Sequence, residues 1–268
     1  KKDRRLITEV RERNKNHSPE YRVRKWQSLD REGGGGIGHI RNLRSLVQKG
    51  VLCRGTNAYP HAKLVLADEK AVLISSANLS PNSLGGGDGY SHEAGLYIED
   101  KMTVAGFSKL FNALWEVSTI RQHMVSGDVS ITQEPSIPVN PDFLRQEVEG
   151  GLVLCANLPP SHALLTDIIT RCIQEAQKEV ILVALSIYNT NDIPKLHFAI
   201  KDALQRGVHI RCIVREDYGF GDQWPDRSTL ELQDEGLELT TRIGLHAKGL
   251  LVDDAFCGIF SANINPYS

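Results

Sequence analysis

Residues 60–78 read PHAKLVLADEKAVLISSAN, and most of this stretch occurs again in residues 245–263, which read LHAKGLLVDDAFCGIFSAN. Both copies follow the pattern H-x-K-x4-D and then continue to Ser-Ala-Asn. A constant offset of 185 residues relates the two copies, so that His61 corresponds to His246. One element of the chain is therefore present twice.

Each copy is predicted to form a β-hairpin, because two short apolar runs flank a polar turn. In the first copy the turn is expected near Glu69. Side chains alternate along a strand, so His61 and Lys63 share a face, and the returning strand brings Ser76 and Asn78 beside them. In the second copy the turn is expected near residues 253–255. The groups brought together there are His246, Lys248, Ser261 and Asn263.

These side chains suit the chemistry of a phosphate ester. A neutral imidazole can attack phosphorus, and a second, protonated imidazole can give a proton to the leaving oxygen. The two copies supply the two histidines that this scheme needs. Lysine ammonium and asparagine amide groups would stabilise the charge that develops on the non-bridging oxygens. The scheme requires neither a metal nor another cofactor.

The duplicated pattern resembles the signature of the phospholipase D superfamily, the HKD motif followed by a small-Ser-x-Asn segment. The first copy consists of His61, Lys63, Asp68, Ser76 and Asn78, and the second of His246, Lys248, Asp253, Ser261 and Asn263. The resemblance extends over nearly the whole chain. It implies an α/β fold of two similar halves, each a mixed, mostly parallel sheet flanked by helices. The halves would be related by a pseudo-twofold axis, with one active site at their seam.

The resemblance also implies roles for individual residues. A phosphohistidine intermediate would form and be hydrolysed by water, with His61 as the nucleophile and His246 as the acid and base. Ser76 and Ser261 are expected to bind or support the phosphate, and the lysines and asparagines to stabilise it. Asp68 and Asp253 are expected to be structural, because the hairpins put them in the turns.

The family usually has a glutamate beyond each asparagine that supports a histidine. Glu93 is the candidate in the first half, and the second half has no counterpart in this sequence. The alternative for Glu93 is a surface glutamate beside a strand.

The remaining elements of the second half are predicted from periodicity. Helices are expected at residues 161–177, 196–206 and 228–235, and strands at 180–187, 208–214 and 237–241. Gly207 and Gly236 are expected to end the last two helices. This alternation predicts a largely parallel sheet with helices on both faces, together with the antiparallel hairpin.

The first half matches this order only in part. We predict helices at 5–14, 42–49 and about 104–117, and strands at 21–26 and 94–98. The predicted domains are residues 1–125 and 151–268, joined by a linker at 126–150 that contains Pro135, Pro138 and Pro141. Compared with each other, the first half looks truncated at its N-terminus and the second at its C-terminus. The chain is therefore expected to belong to a longer polypeptide or complex.

Composition points to a cytoplasmic protein. The five cysteines are widely separated, with no C-x-x-C pair, which favours reduced thiols over disulfides or zinc. No signal peptide or membrane-spanning apolar run is evident.

Charge is distributed unevenly along the chain. Residues 1–63 contain 16 Lys and Arg against 6 Asp and Glu, although the whole chain has a net charge of -2. This asymmetry indicates an anionic partner such as nucleic acid or lipid head groups, and a solvated basic helix is the alternative.

The favoured interpretation is a metal-independent nuclease that acts on DNA or RNA. A phospholipase D or phosphatidyltransferase is an alternative, but it would need an apolar rim or an interfacial helix, and neither is evident in the sequence. A non-catalytic nucleic-acid-binding module is a third interpretation. It would require a damaged motif, and both motifs are intact.

Overall fold

The computed structural model describes residues 5–9, 45–56, 61–80, 83–85, 91–125, 128–135, 144–148, 151–157, 164–216 and 225–264. The described chain forms two compact units. One unit, called the motif unit here, comprises residues 61–104 and 155–268, and the other comprises residues 1–60 and 105–154. Both copies of the duplicated motif lie in the motif unit.

The strands are β1 (Arg5–Glu9), β2 (Leu52–Thr56), β3 (Leu64–Ala67), β4 (Ala71–Ser75), β5 (Gly95–Ile98), β6 (Ile120–Val125), β7 (Asp128–Gln133), β8 (Arg145–Val148), β9 (Leu152–Cys155), β10 (Glu179–Val183), β11 (His209–Arg215), β12 (Glu238–Arg242), β13 (Gly249–Val252) and β14 (Phe256–Ile259). The helices are α1 (Lys101–Val117), α2 (Leu164–Glu175), α3 (Pro194–Gln205) and α4 (Arg227–Asp234), with a 3-10 turn at Thr190–Asp192.

A five-stranded sheet organises the second half, in the order β12-β11-β10-β13-β14. The β10–β11 and β11–β12 pairs are parallel, whereas the β10–β13 and β13–β14 pairs are antiparallel. The predicted strands and the antiparallel hairpin are confirmed. The sheet is mixed rather than largely parallel, because the hairpin joins it directly through β10.

The helices of the second half build one apolar core with this sheet. Pro194 opens α3 at a position where its missing N–H is not needed, and Leu196, Ala199, Ile200 and Ala203 are buried at helical spacing. Gly207 follows α3 with a φ of 82°, and Gly236 follows α4 with a φ of 109°. Only glycine adopts this conformation readily, which explains why both helices end there. The three predicted helices are confirmed.

A three-stranded antiparallel sheet, β3-β4-β5, carries the first motif. Leu64 is opposite Ile74 in the β3–β4 pair, and Ile74 is opposite Leu96 in the β4–β5 pair. The strand predicted at 94–98 and the helix predicted at about 104–117 are confirmed as β5 and α1. Asp100 begins α1 by accepting hydrogen bonds from the backbone N–H and the hydroxyl of Thr103, both at 2.8 Å.

The other unit contains a four-stranded sheet, β1-β2-β6-β7. The helix predicted at 5–14 is wrong over residues 5–9, which form β1 and pair in parallel with β2. Two β-branched residues, Ile7 and Thr8, favour the strand, and its hydrogen bonds come from a distant segment that local periodicity does not reveal. Residues 10–14 and the strand predicted at 21–26 lie outside the described residues.

Two further predicted segments lie at least partly in this unit. Residues 45–48 are helical and Gly50 follows with a φ of 82°, which agrees with the described part of the helix predicted at 42–49. The segment 126–150 contains β7 and β8, so it holds regular structure that the linker interpretation did not include. The division of the sequence at this linker stays a prediction.

Candidate functional site

The two hairpins hold their motifs through the same backbone contacts. In the first, Asp68 and Glu69 both have positive φ angles, 50° and 55°, and the Lys70 N–H donates to the Ala67 carbonyl at 2.9 Å. These are the features of the tight turn that suits the twist of a hairpin. Beyond the strand, the Ser75 N–H donates to the Lys63 carbonyl at 3.1 Å. The equivalent bond in the second hairpin joins the Phe260 N–H to the Lys248 carbonyl at 3.2 Å.

Each motif lysine folds back onto its own histidine. The Lys63 ammonium donates to the His61 carbonyl at 2.8 Å, and the Lys248 ammonium donates to the His246 carbonyl at 2.7 Å. Lys248 is fully buried, whereas His61 remains exposed to solvent. A buried ammonium is costly, so its retention beside a histidine points to a functional use of the charge.

The segment before β5 joins the first motif to the second. The His92 N–H donates to the Gly244 carbonyl at 2.7 Å, and the His92 carbonyl accepts from the N–H groups of His246 and Ala247 at 2.9 and 2.7 Å. These bonds place Glu93 against the second histidine. Both carboxylate oxygens of Glu93 lie 2.9 Å from His246 Nδ1, and Oε2 has the geometry of a hydrogen bond.

Ser76 contacts the same carboxylate from the first motif. Its hydroxyl donates to Glu93 Oε2 at 2.5 Å and accepts from the Ala94 N–H at 3.0 Å. The side chain is fully buried. The sequence suggested that Ser76 would bind or support the phosphate, but its hydroxyl is directed to Glu93.

His61 is held in its neutral form. Although the residue as a whole is exposed, surrounding protein atoms partly desolvate its ring, and this desolvation, together with the ammonium groups of Lys63 and Lys248, lowers its pKa to about 4. A hydrogen bond to the Ser261 backbone opposes the shift. The charge of His246 also contributes a small lowering of the His61 pKa. Residues from both motifs therefore act on one imidazole, and that imidazole is an available nucleophile at neutral pH.

Opposing effects act on the pKa of His246. Burial lowers its pKa, the hydrogen bond to Glu93 raises it, and the charge of Lys248 lowers it, with a net lowering. Burial and Lys63 lower the pKa of Lys248 to about 8, against the opposing effect of Glu93. The site thus carries excess positive charge, which a bound phosphate would offset.

Glu93 remains ionised within this cluster. Burial alone would raise its pKa, but hydrogen bonds from Ser76, His246 and Ser83 lower it overall. An ionised carboxylate beside His246 favours the protonated imidazole. The arrangement can therefore hold a proton on His246 more readily than on His61.

The motif aspartates lie in the turns. Asp253 accepts from the backbone N–H groups of Gln177, Lys178 and Glu179, at 3.0, 2.8 and 2.9 Å. These bonds tie the β13–β14 turn to the start of β10. Asp68 occupies the equivalent turn of the first hairpin and is exposed.

The two asparagines differ in their surroundings. Asn78 is exposed beyond β4, and its carbonyl accepts from the Ser80 N–H at 2.8 Å. Asn263 is half-buried and lies at a shallow depression that Leu165, Ile169 and Ile193 also line. Its Oδ1 is buried and has no hydrogen-bond partner among the described residues. No described contact joins either asparagine side chain to a motif histidine.

Two residues near the site were missing from the sequence-based set. Ser83 follows the first motif and helps to lower the pKa of Glu93, and Arg215, at the end of β11, helps to lower the pKa of Lys248. The signal for Arg215 was available, because functional groups often follow the carboxyl ends of parallel strands. Nothing in its local pattern distinguished Ser83 from other loop serines.

Three exposed apolar side chains lie next in sequence to residues named above. Leu79 directly follows Asn78, Leu84 directly follows Ser83, and Ile243 precedes the Gly244 carbonyl that binds His92. Their exposed fractions are 73%, 63% and 68%. Such a group of exposed apolar residues is a feature of surfaces that bind apolar partners.

Among the described residues, no cluster of three or more His, Cys, Asp or Glu could hold a metal ion. None of the helices in the described ranges is both long enough and apolar enough to cross a membrane.

Comparison with known proteins gives a family match over most of the chain. Residues 12–115 and 169–268 match the family described as "Cardiolipin synthase, PLD-like domain". The comparison with curated proteins gave no significant match.

Several solved structures are similar to this chain at 13% to 21% sequence identity. Phosphatidylserine synthase of Haemophilus influenzae Rd KW20 is 13% identical, with a TM-score of 0.56 over 99% of this chain and 74% of that one. The phospholipase D family member Nuc of Salmonella typhimurium is 21% identical, with a TM-score of 0.32 over 40% and 68% of the two chains. NucT of Helicobacter pylori is 15% identical, with a TM-score of 0.30 over 37% and 66%.

Proposed function

This chain belongs to the phospholipase D superfamily, and from that membership we propose that it is a metal-independent phosphodiesterase acting through a phosphohistidine intermediate. The observation that carries the proposal is the meeting of both motifs in one charged cluster. Desolvation and then the lysines of both motifs lower the pKa of His61, and His246 Nδ1 lies 2.9 Å from Glu93 Oε2.

The reaction would proceed in two steps. In the first, a neutral ring nitrogen of His61 attacks phosphorus, the bond to the leaving oxygen breaks, and His246 gives that oxygen its proton. In the second, His246 takes a proton from water, the water oxygen attacks phosphorus, and the bond to His61 breaks. Lys63 and Lys248 would stabilise the added negative charge on the non-bridging oxygens in both steps.

We propose nucleic acid, DNA or RNA, as the substrate. The support is the excess of basic residues in the first 63 positions, since phosphate backbones bind largely through lysine and arginine. A phosphodiester in such a chain also presents ionised oxygens, and the ammonium groups of Lys63 and Lys248 are suited to bind them.

A second candidate substrate is a phospholipid. It is favoured by the exposed leucine and isoleucine side chains at positions 79, 84 and 243, which could contact a lipid surface. The reaction with phosphorus would be the same, and only the groups on either side of the phosphate would differ.

The test measures cleavage of end-labelled single- and double-stranded DNA and RNA, and of phospholipid vesicles, in excess EDTA. His61→Ala and His246→Ala proteins provide the matched controls. We expect nucleic acid cleavage that survives chelation and is lost in both variants. Turnover of vesicles alone would favour the phospholipid candidate. Binding of nucleic acid without turnover by the unmodified protein would support the non-catalytic module instead.

A further inference from the structure

Glu93 links the two motifs, and the serine of the first motif, Ser76, donates a hydrogen bond to its carboxylate. We infer that Ser76 is a positioning residue that holds Glu93 against His246. This inference rests on the proposed function, because it assigns His246 a proton-transfer role. It differs from the motif-based expectation, in which Ser76 would bind or support the phosphate.

Ser76 contacts Glu93 directly. Its hydroxyl accepts from the Ala94 N–H at 3.0 Å and lies 2.5 Å from Glu93 Oε2, closer than to the alternative acceptor, the Ala94 carbonyl at 3.3 Å. The backbone is fixed as well, since the Ser76 N–H donates to the Ala94 carbonyl at 2.9 Å. Ser76 is fully buried, so water does not compete for this hydrogen bond.

The consequence is that the serine of one motif acts on the histidine of the other. Ser76 reaches His246 through Glu93, so this contact crosses between the two copies of the duplicated sequence.

The test is the pKa of His246, followed through its ring resonances by NMR from acid to neutral pH. Without the Ser76 hydroxyl, the carboxylate is free to turn away, and burial and Lys248 then lower the pKa of His246 unopposed. In Ser76→Ala we expect a fall of about one pH unit, the size expected for one lost hydrogen bond to an ionised group.

Three further variants separate positioning from a general structural effect. In a Glu93→Gln background, Ser76→Ala should add no further change, because the two residues act in series. Ser76→Cys keeps a side chain of similar shape and a weak donor. The pKa of His246 in this variant should therefore lie between its values in the unmodified protein and in Ser76→Ala. Ser118→Ala, which removes another buried hydroxyl, should leave the pKa of His246 unchanged.

An unchanged pKa of His246 in Ser76→Ala, or an equal fall with and without Glu93, would overturn the inference. The measurement needs no substrate, so it is independent of the proposed activity. A fall in the pKa of His246 in a protein that cleaves no phosphodiester would leave the positioning intact and reject the proposed function.

Discussion

His61 and His246 occupy the same motif position, but their neighbours differ. Desolvation and the lysines of both motifs lower the pKa of both rings, but His246 also has the Glu93 carboxylate 2.9 Å from its Nδ1. Because Glu93 favours a proton on His246, the pair is suited to one nucleophile and one acid. Two identical residues thus acquire different chemistry from their surroundings.

The pH dependence of kcat/KM follows from these differences. His61 must be neutral, so activity should be lost as the pH falls through about 4. His246 must be protonated, so activity should also be lost as the pH rises through its pKa, which is below the ordinary value of 6.5. We expect a bell-shaped profile with an acidic optimum. Glu93→Gln should move the alkaline limb to lower pH, and a limb above pH 7 in the unmodified protein would be inconsistent with this assignment.

Lys248 provides a second prediction about a single residue. Its ammonium is fully buried and close to Lys63, so Lys248→Met should leave the melting temperature unchanged or raise it. The same change removes a cation from the reacting phosphate, and kcat should fall by about 10²- to 10³-fold. Lys63→Met, at a less buried position, is the matched control. Full activity in Lys248→Met would argue against a role in stabilising charge.

The two hairpins, β3–β4 and β13–β14, position the motif residues. The turn between β13 and β14 also attaches its hairpin to the neighbouring strand of the sheet. Three backbone N–H groups before and at the start of β10 donate to Asp253, and the Asp253 N–H donates back to the Glu179 carbonyl at 2.9 Å. The position of His246 and Lys248 at the beginning of β13 depends on this attachment.

Asp253→Ala should therefore lower the melting temperature, while Asp254→Ala, in the same turn, should not. The backbone hydrogen bonds lower the pKa of Asp253 from its ordinary value of 3.8. Its contribution is present above that value and is lost as the pH falls through the lower, folded-state pKa. The difference in melting temperature between the two variants should thus disappear in strong acid. Equal melting temperatures at neutral pH would contradict this role.

Sequence reasoning succeeded for elements whose signal is local. The helix α3 has apolar residues at helical spacing and a glycine at its end, and both features lie within the segment itself. It failed for β1, where Ile7 and Thr8 belong to a short apolar run that suits either a helix or a strand. The deciding contacts are with β2, which lies far along the chain.

The difference between local signals and contacts with distant segments applies to the site as well. The motif residues could be predicted because the duplication marks them, and Glu93 could be predicted from the family resemblance. Its partner could not be predicted, since the pairing with His246 depends on the bridge between His92 and Leu245. The burial of Lys248 could not be predicted either, because it follows from packing between distant segments.

In the whole molecule, one chain carries both motifs in the same compact unit. We therefore expect specific activity to be independent of protein concentration. Mixing His61→Ala with His246→Ala should restore no activity, because neither chain has a complete site. Recovery of activity on mixing would show instead that the working site is built from two chains.

The central claim is that His61 becomes covalently bound to phosphorus without a metal. Bis(4-nitrophenyl) phosphate tests it directly, because its leaving group departs without a proton and so does not need His246 in the first step. In excess EDTA, His246→Ala should release a burst of one nitrophenolate per chain and then nearly stop, since no base activates water for the second step. His61→Ala should give no burst. A burst in His61→Ala, or its loss on chelation in His246→Ala, would contradict the account.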